Sequence, residues 1–226
     1  MSAPVVAVDG PAGAGKSSAC RALARRLGFT YVDTGAMYRG VGVLADERGI
    51  ALDDDAALAV LVAGLVFDLP DGGTRLVAGG RDLTDAIREP RAGDLASRVS
   101  TRPVVRARLV ELQRALGRAG GVVMEGRDIG TVVFPEATVK LYLTAEPAER
   151  ARRRAAELRA KGEEVDEAAL ARELAARDER DRTRAHAPLR AAADAVTLDT
   201  TRLTLAGVVD EMERLVRARV VVPGRT

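Results

Sequence analysis

The chain has 226 residues, 47% hydrophobic and 30% charged, which suits one α/β domain with an insertion or two small domains with a packed core. Its formal charge is only +2, from 35 basic and 33 acidic side chains, so the overall balance does not call for nucleic acid. A single cysteine, Cys20, excludes a disulfide framework and a cysteine-rich metal site, and no apolar run approaches the ~20 residues of a membrane span.

The first element is a short apolar strand, Val5-Val6-Ala7-Val8, followed by Gly10-Pro11-Ala12-Gly13-Ala14-Gly15-Lys16-Ser17 and a helix over 18–27. Strand, G-x-x-x-x-G-K-S and helix in that order form a phosphate-binding loop. The glycines let successive backbone N–H groups converge on one anion, and the start of the helix adds its partial positive charge. Lys16 can reach the β- and γ-phosphates, and the Ser17 hydroxyl is a ligand for Mg²⁺. The motif implies a nucleoside triphosphate.

Gly28 stops the helix. Phe29-Thr30-Tyr31-Val32 is a second strand, and Asp33-Thr34-Gly35-Ala36-Met37-Tyr38-Arg39 turns from its end into a helix reaching about residue 48. Open α/β sheets bind ligands at the carboxyl ends of their strands, so these polar residues belong beside the loop. Asp53-Asp54-Asp55 caps a helix through about Gly64, a better account of the acidic triplet than a metal site. Segments 65–69 and 74–78 flank Pro70-Asp71-Gly72-Gly73 as a hairpin, and Gly79-Gly80-Arg81-Asp82 turns into a third strand near Leu83. This patch interrupts the βα alternation and marks residues 53–100 as an insertion. Pro103 opens a helix that Gly120-Gly121 closes.

Val122-Val123-Met124 is the next buried strand, with Glu125-Gly126-Arg127-Asp128 at its tip, where a carboxylate can hold magnesium or its water. A strand over 139–143, two arginine-rich helices over 147–161 and 166–184, a last strand over 196–199 and a helix over 205–220 complete the chain. The arginines of the two helices have three readings. They can form solvated faces with i,i+4 pairs such as Glu149 with Arg153, each contributing about 0.3–0.5 kcal/mol. They can form a nucleic-acid patch, against which no aromatic side chain interleaves with them. Or they can form a lid that brings cations over transferring phosphates and keeps water out, which the phosphate loop favours.

Four segments together resemble the bacterial cytidylate kinases, of the nucleoside monophosphate kinase family: residues 10–18, Asp33-Thr34-Gly35-Ala36-Met37-Tyr38-Arg39, Gly126-Arg127-Asp128-Ile129-Gly130-Thr131-Val132-Val133-Phe134-Pro135, and Arg177-Asp178-Glu179-Arg180-Asp181-Arg182-Thr183-Arg184. The likeness spans nearly the whole chain. It implies a five-stranded parallel sheet flanked by helices, in a single domain. The core covers about 1–52, 101–146 and 186–226, a monophosphate-binding insertion about 53–100, and a helical lid about 147–185. By the same resemblance Gly10, Pro11, Ala12, Gly13, Ala14, Gly15, Lys16, Ser17 and Ser18 hold ATP. Asp33, Thr34, Tyr38 and Arg39 line the monophosphate site, and Ser97, Arg106 and Asp128 face the cytosine. Arg127 and Arg184 meet the phosphates, Arg177 and Asp181 approach the sugar, and Arg153 joins Lys16, Arg127 and Arg184 in catalysis from the lid. Glu125 departs from the pattern, which often has aspartate there; one extra methylene moves a magnesium contact or routes it through water, so Glu125 is not counted among the sites.

The implied reaction is Mg²⁺-dependent transfer from ATP to CMP or dCMP. The rivals are a P-loop kinase for UMP, AMP, dTMP or shikimate, a nucleic-acid-binding ATPase and a regulatory GTPase. A GTPase reads guanine with Asn-Lys-x-Asp, and the chain contains no asparagine. His186, the only histidine, reads as a surface residue. No secretory signal precedes the first strand, and nothing demands more than a monomer, so a cytoplasmic monomer is expected.

Overall fold

The computed structural model describes residues 3–73 and 75–220. β1 (Val5–Asp9) leads through the loop into α1 (Lys16–Leu27). The helix starts two residues before the expected 18, because Gly15 at φ 82° is its left-handed N-cap; Gly28 at φ 69° closes it. β2 (Thr30–Asp33) runs straight into α2 (Thr34–Glu47), whose first turn the Asp33 side chain caps by accepting from Ala36 N. In α3 (Asp55–Ala63) the cap is Asp54, accepting from Ala57 N at 2.9 Å, as the acidic triplet suggested.

The insertion continues through β3 (Phe67–Asp68), a single turn α4 (Pro70–Gly73), β4 (Val77–Ala78) and β5 (Arg81–Asp82), which form a three-stranded antiparallel sheet. Thr74, expected to begin the second strand, lies outside the described residues. Arg81 and Asp82 are not turn residues: Gly79 and Gly80, at φ 56° and 82°, make the turn alone and leave them free to pair with Ala78 and Val77. α5 (Pro90–Val99) was not foreseen. It starts with proline at its first position and buries Ala92, Ala96 and Val99, an i, i+4, i+7 spacing that is helical; the short strands before it drew the whole stretch into a β reading.

α6 (Pro103–Gly117) precedes β6 (Val122–Gly126), then a wide π-type turn (Ile129–Val133) and β7 (Val139–Thr144). The arginine hairpin is α7 (Pro147–Arg159) and α8 (Glu167–Thr183); β8 (Val196–Asp199) and α9 (Leu205–Arg219) follow. The main sheet is parallel, in the order β2-β6-β1-β7-β8. Its central strand therefore feeds the phosphate loop, with the ends of β2, β6 and β7 ranged around it.

One face of the sheet packs against α1 and α9 through Leu23, Leu141, Met212 and Val216, all essentially buried. The other face closes over Ala7, Val32, Met124, Ile129 and Val133. The insertion shares one core with α2 and α6, including Met37, Leu58, Leu76, Leu83 and Leu109, so it is packed against the sheet's flanking helices over a broad apolar area. The arginine hairpin has only a small cluster of its own, Ala151, Ala155, Leu170 and Leu174, which meets the rest of the protein at Ala12 of the loop. Among the described residues no helix is long and apolar enough to cross a membrane.

Candidate active site

The phosphate loop lies directly on the sheet. A Cβ at Gly10 would stand 2.0 Å from the Leu143 carbonyl oxygen, so only glycine lets the chain leave β1 this close to β7. Lys16 is 5% exposed and donates to the Pro11 carbonyl at 2.7 Å, across the loop that it serves. Burial lowers its amine to about 7, with the Arg127 charge adding to the effect and Glu125 opposing it. Ser17 and Ser18 stand exposed on the first turn of α1. A buried cation at a helix N-terminus among glycine amides is an anion site.

Beside the loop, the ends of β2 and β6 meet. Burial alone would raise the Asp33 carboxyl, but Arg39 at 2.8 Å and the Ala36 N–H more than offset it and hold it below the ordinary value. Thr34 Oγ1 donates to the Glu125 carbonyl at 2.7 Å, which pins the start of α2 to the tip of β6. Glu125 is 4% exposed, accepts from the Tyr31 hydroxyl and is bonded by the Ser17 hydroxyl; burial and the neighbouring Asp33 charge push its carboxyl up. Glu125 thus stands beside Asp33 and Ser17, residues that the resemblance assigns to the site. The longer side chain reaches Tyr31 and Ser17 from the strand end.

A second knot forms around Asp128. Arg106 of α6 bonds its carboxylate, Arg184 lies 3.7 Å away, and the Tyr38 hydroxyl accepts from Arg106 at 3.4 Å. Arg127 bonds Asp181 at 3.1 Å, which ties the tip of β6 to α8. Arg177 is half-buried, with a buried Nε that has no hydrogen-bond partner, and desolvation together with the Arg127 charge lowers its guanidinium to about 10. Arg184 also carries a buried nitrogen without a hydrogen bond, and burial lowers its guanidinium. Arg177, near Arg127 and Arg39, and Arg184, near Arg106, thus each keep a buried donor without a hydrogen bond. Ser97 is buried on α5, but no hydrogen bond among the described residues joins it to Arg106 or Asp128; it borders a cavity of about 400 Å³ with Asp94, Arg102 and Arg180. His186 is exposed beside a cavity of about 480 Å³ that Arg106 and Arg114 also line.

The hairpin arginines divide by face. Arg150 is buried and donates to Ala12 O and Ala145 O, each at 3.1 Å, as well as to Asp178 of α8. Arg153 is bonded to Glu149 at 2.8 Å, to Thr200 Oγ1 at 2.9 Å and to Thr200 O at 2.6 Å, with its Nη1 nitrogen 3.6 Å from a Cβ built on Gly15. Thr200 Oγ1 donates in turn to Ala14 O at 3.1 Å. Arg152 keeps to Glu149 in the open, a solvated pair. Arg150 and Asp178 lie in the arginine helices without a role assigned from sequence, and Thr200 was missed altogether, because only contacts across chain distances of 28 to 186 residues reveal what they do. Cys20 is buried within α1, where burial raises its thiol, in keeping with a small apolar role.

Comparison with known proteins places this geometry. A cytidylate kinase from Geobacter sulfurreducens is 52% identical over 217 residues, covering 95% of this chain and 93% of that one. A cytidylate kinase from Pelotomaculum thermopropionicum is 48% identical over 220 residues, with 96% of each chain covered. An uncharacterised protein from Eubacterium ventriosum shares the fold in its crystal structure, with a TM-score of 0.54 and 10% identity, covering 96% of this chain and 99% of that one. The family profile described as cytidylate kinase matches residues 6–218, and the chain belongs to that family.

Proposed function

We propose that this protein transfers the γ-phosphoryl group of ATP to CMP or dCMP, giving CDP or dCDP and ADP. The observation that carries the reading is the convergence of Lys16, Arg39, Arg127, Arg177 and Arg184 between the phosphate loop and the Arg106–Asp128 pair, with the buried Nε of Arg177 unpartnered. Such an excess of buried donors suits two sets of phosphate oxygens brought together. The acceptor phosphate is already an anion, so no strong base is needed, and positioning with charge neutralisation can carry the catalysis.

In this reading the loop amides and Lys16 hold the ATP phosphates. Arg39 and Arg177 orient the CMP phosphate and sugar, with Asp181 steadying the sugar side and Asp33 steadying Arg39. Arg127 and Arg184 stand at the oxygens between donor and acceptor. Arg153, fixed to Thr200 beside Gly15, adds positive charge at the loop. Arg106 and Asp128 read the cytosine edge, with Ser97 joining Asp128 at the N4 amino group. For magnesium, Ser17, Glu125 and Asp33 are all oxygen donors, which suit this hard cation; among the described residues no cluster of three metal-ligating side chains occurs, so phosphates and water would complete its shell. When bound, the ion neutralises charge on the β- and γ-phosphate oxygens.

The test is a coupled ADP-release assay across CMP, dCMP, UMP, AMP, dTMP and shikimate. Uracil reverses the donor and acceptor that cytosine presents at its N4 and N3 positions. Two reversed contacts in a buried site cost about 3–5 kcal/mol, so CMP is expected to exceed UMP by roughly 100-fold or more in kcat/KM. Arg106→Met is expected to remove most of that preference through loss of CMP activity. Equal use of both pyrimidines would refute the base reading.

A further inference from the structure

Asp9 ends the central strand, immediately before the phosphate loop, and is 4% exposed. Its two carboxylate oxygens each accept one backbone N–H, from Ile129 and from Gly130, both at 2.8 Å. Those are the first N–H groups of the turn Ile129–Val133, and the opening N–H groups of a helical turn have no partner within it. The N-cap of this turn is Asp128, whose side chain makes no capping bond. An aspartate at an N-cap ordinarily accepts from the N–H groups two or three residues on. Here the carboxylate is turned the other way, to Arg106, with Arg184 at 3.7 Å.

We propose that Asp9 is a positioning residue for the base-reading carboxylate: it caps the turn in place of Asp128 and so holds Asp128 free to face the cytosine. This rests on Arg106 and Asp128 being the cytosine contacts. Two effects act together. Asp9 occupies the Gly130 N–H, one of the two amides that would otherwise draw Asp128 back, and its own charge repels the Asp128 carboxylate from the start of the turn. Because Asp9 also precedes Gly10 and pairs in register with Gly126, the same carboxylate joins the phosphate loop to the base reader.

Asp9→Asn offers one acceptor and one N–H donor to two backbone donors, so it breaks the clamp at little change in volume. With ATP saturating, the variant is expected to lower the CMP to UMP ratio of kcat/KM by about 10-fold or more, chiefly through KM for CMP, with KM for ATP within about threefold of wild type. A purely structural role would lower both nucleotides alike, and an unchanged ratio in the folded variant overturns the proposal. Arg106→Met, measured in parallel, separates the two readings. If wild type shows no CMP preference, or Arg106→Met leaves it intact, the base reading itself fails and takes this inference with it.

A second measurement on wild type decides the matter if Asp9→Asn does not fold. Burial, the largest effect, pushes the Asp9 carboxyl up to about 6; the Gly130 and Ile129 N–H groups oppose it, Asp128 reinforces it, and Lys16 opposes it. Lys140 lies against Gly130 beside Asp9, Tyr142 is opposite in β7, and the Cys20 thiol of α1 also feels the Asp9 charge. As pH falls from about 7.5 to about 5.5, Asp9 takes a proton, loses one acceptor, and the CMP to UMP ratio drops. The phosphate of the acceptor titrates in the same range but is common to both nucleotides and cancels. A flat ratio across that range overturns the proposal.

Discussion

The phosphate loop and the arginine hairpin make the same kind of site by opposite means. The loop is one unbroken run of residues whose work is done by backbone amides and a single lysine, positioned by glycine conformations of φ 75° at Gly13 and 82° at Gly15. The hairpin works through side chains of one residue type, and their roles differ only by the face on which they fall. Arg152 pairs with Glu149 at the surface, Arg150 is an internal strut to Ala12 and Asp178, and Arg177 of α8 keeps a buried Nε without a hydrogen-bond partner. One residue type on two packed helices thus falls on the surface, in the frame, and, at Arg177, in a position with a spare donor. The hairpin's small core of four buried side chains also makes it the part of the molecule with the least apolar burial to hold it in place.

The comparison can be broken first at the loop. Lys16→Ala removes the one cation built into it and is expected to lower kcat by at least about 100-fold. Its melting temperature should hold, because burial already depresses this amine and the fold gains little from the charge. Normal turnover in a folded Lys16→Ala protein would undo the loop's assignment.

Arg177→Met sharpens the comparison on the hairpin side. Loss of one charge-assisted contact to the acceptor costs about 1.5–3 kcal/mol, so KM for CMP should rise about 10- to 100-fold with KM for ATP nearly constant. The guanidinium is lowered to about 10 in the fold, so its burial cost is present in full at pH 7 and is relieved only as pH rises past that value. Removing it should raise the melting temperature by about 2–4 °C. Unaltered CMP kinetics, or a fall in melting temperature, would return Arg177 to the frame.

The smallest effect on turnover is expected at the strut. Asp178→Asn leaves the Arg150 charge buried without its ionised partner, which costs about 3–5 kcal/mol of stability in a denaturant titration, while kcat of the folded fraction drops by less than about 10-fold. Replacing both partners by apolar residues should recover most of that stability. The exposed Arg152→Ala is the control, with kcat/KM expected within about twofold of wild type. A kinetic loss at Arg152 larger than at Arg177 would reverse the division of faces.

By itself the sequence determined what is local. Residues 10–17 carry their own geometry, because glycines at set positions, a preceding apolar strand and a following helix are all that a phosphate loop needs. The alternation of strands and helices announced the parallel sheet, and Asp54 was legible within its acidic triplet as the start of a helix because capping acts over three residues, whereas Asp33 read as a strand end and its cap emerged only in the fold. Tertiary structure decided whatever joins distant segments. Asp9 becomes a clamp only because β1 lies beside β6, Glu125 joins the site only because Tyr31 and Ser17 come to it, and Arg150 becomes a strut only because α8 folds back over α7. α5 was legible in principle, since Ala92, Ala96 and Val99 keep helical spacing behind a proline start, but the Gly-rich turns and short strands before it masked that period. A capping or loop motif is written in neighbouring residues, whereas the face an arginine presents, and the charge that meets it there, is set by packing between elements that the chain order does not bring together.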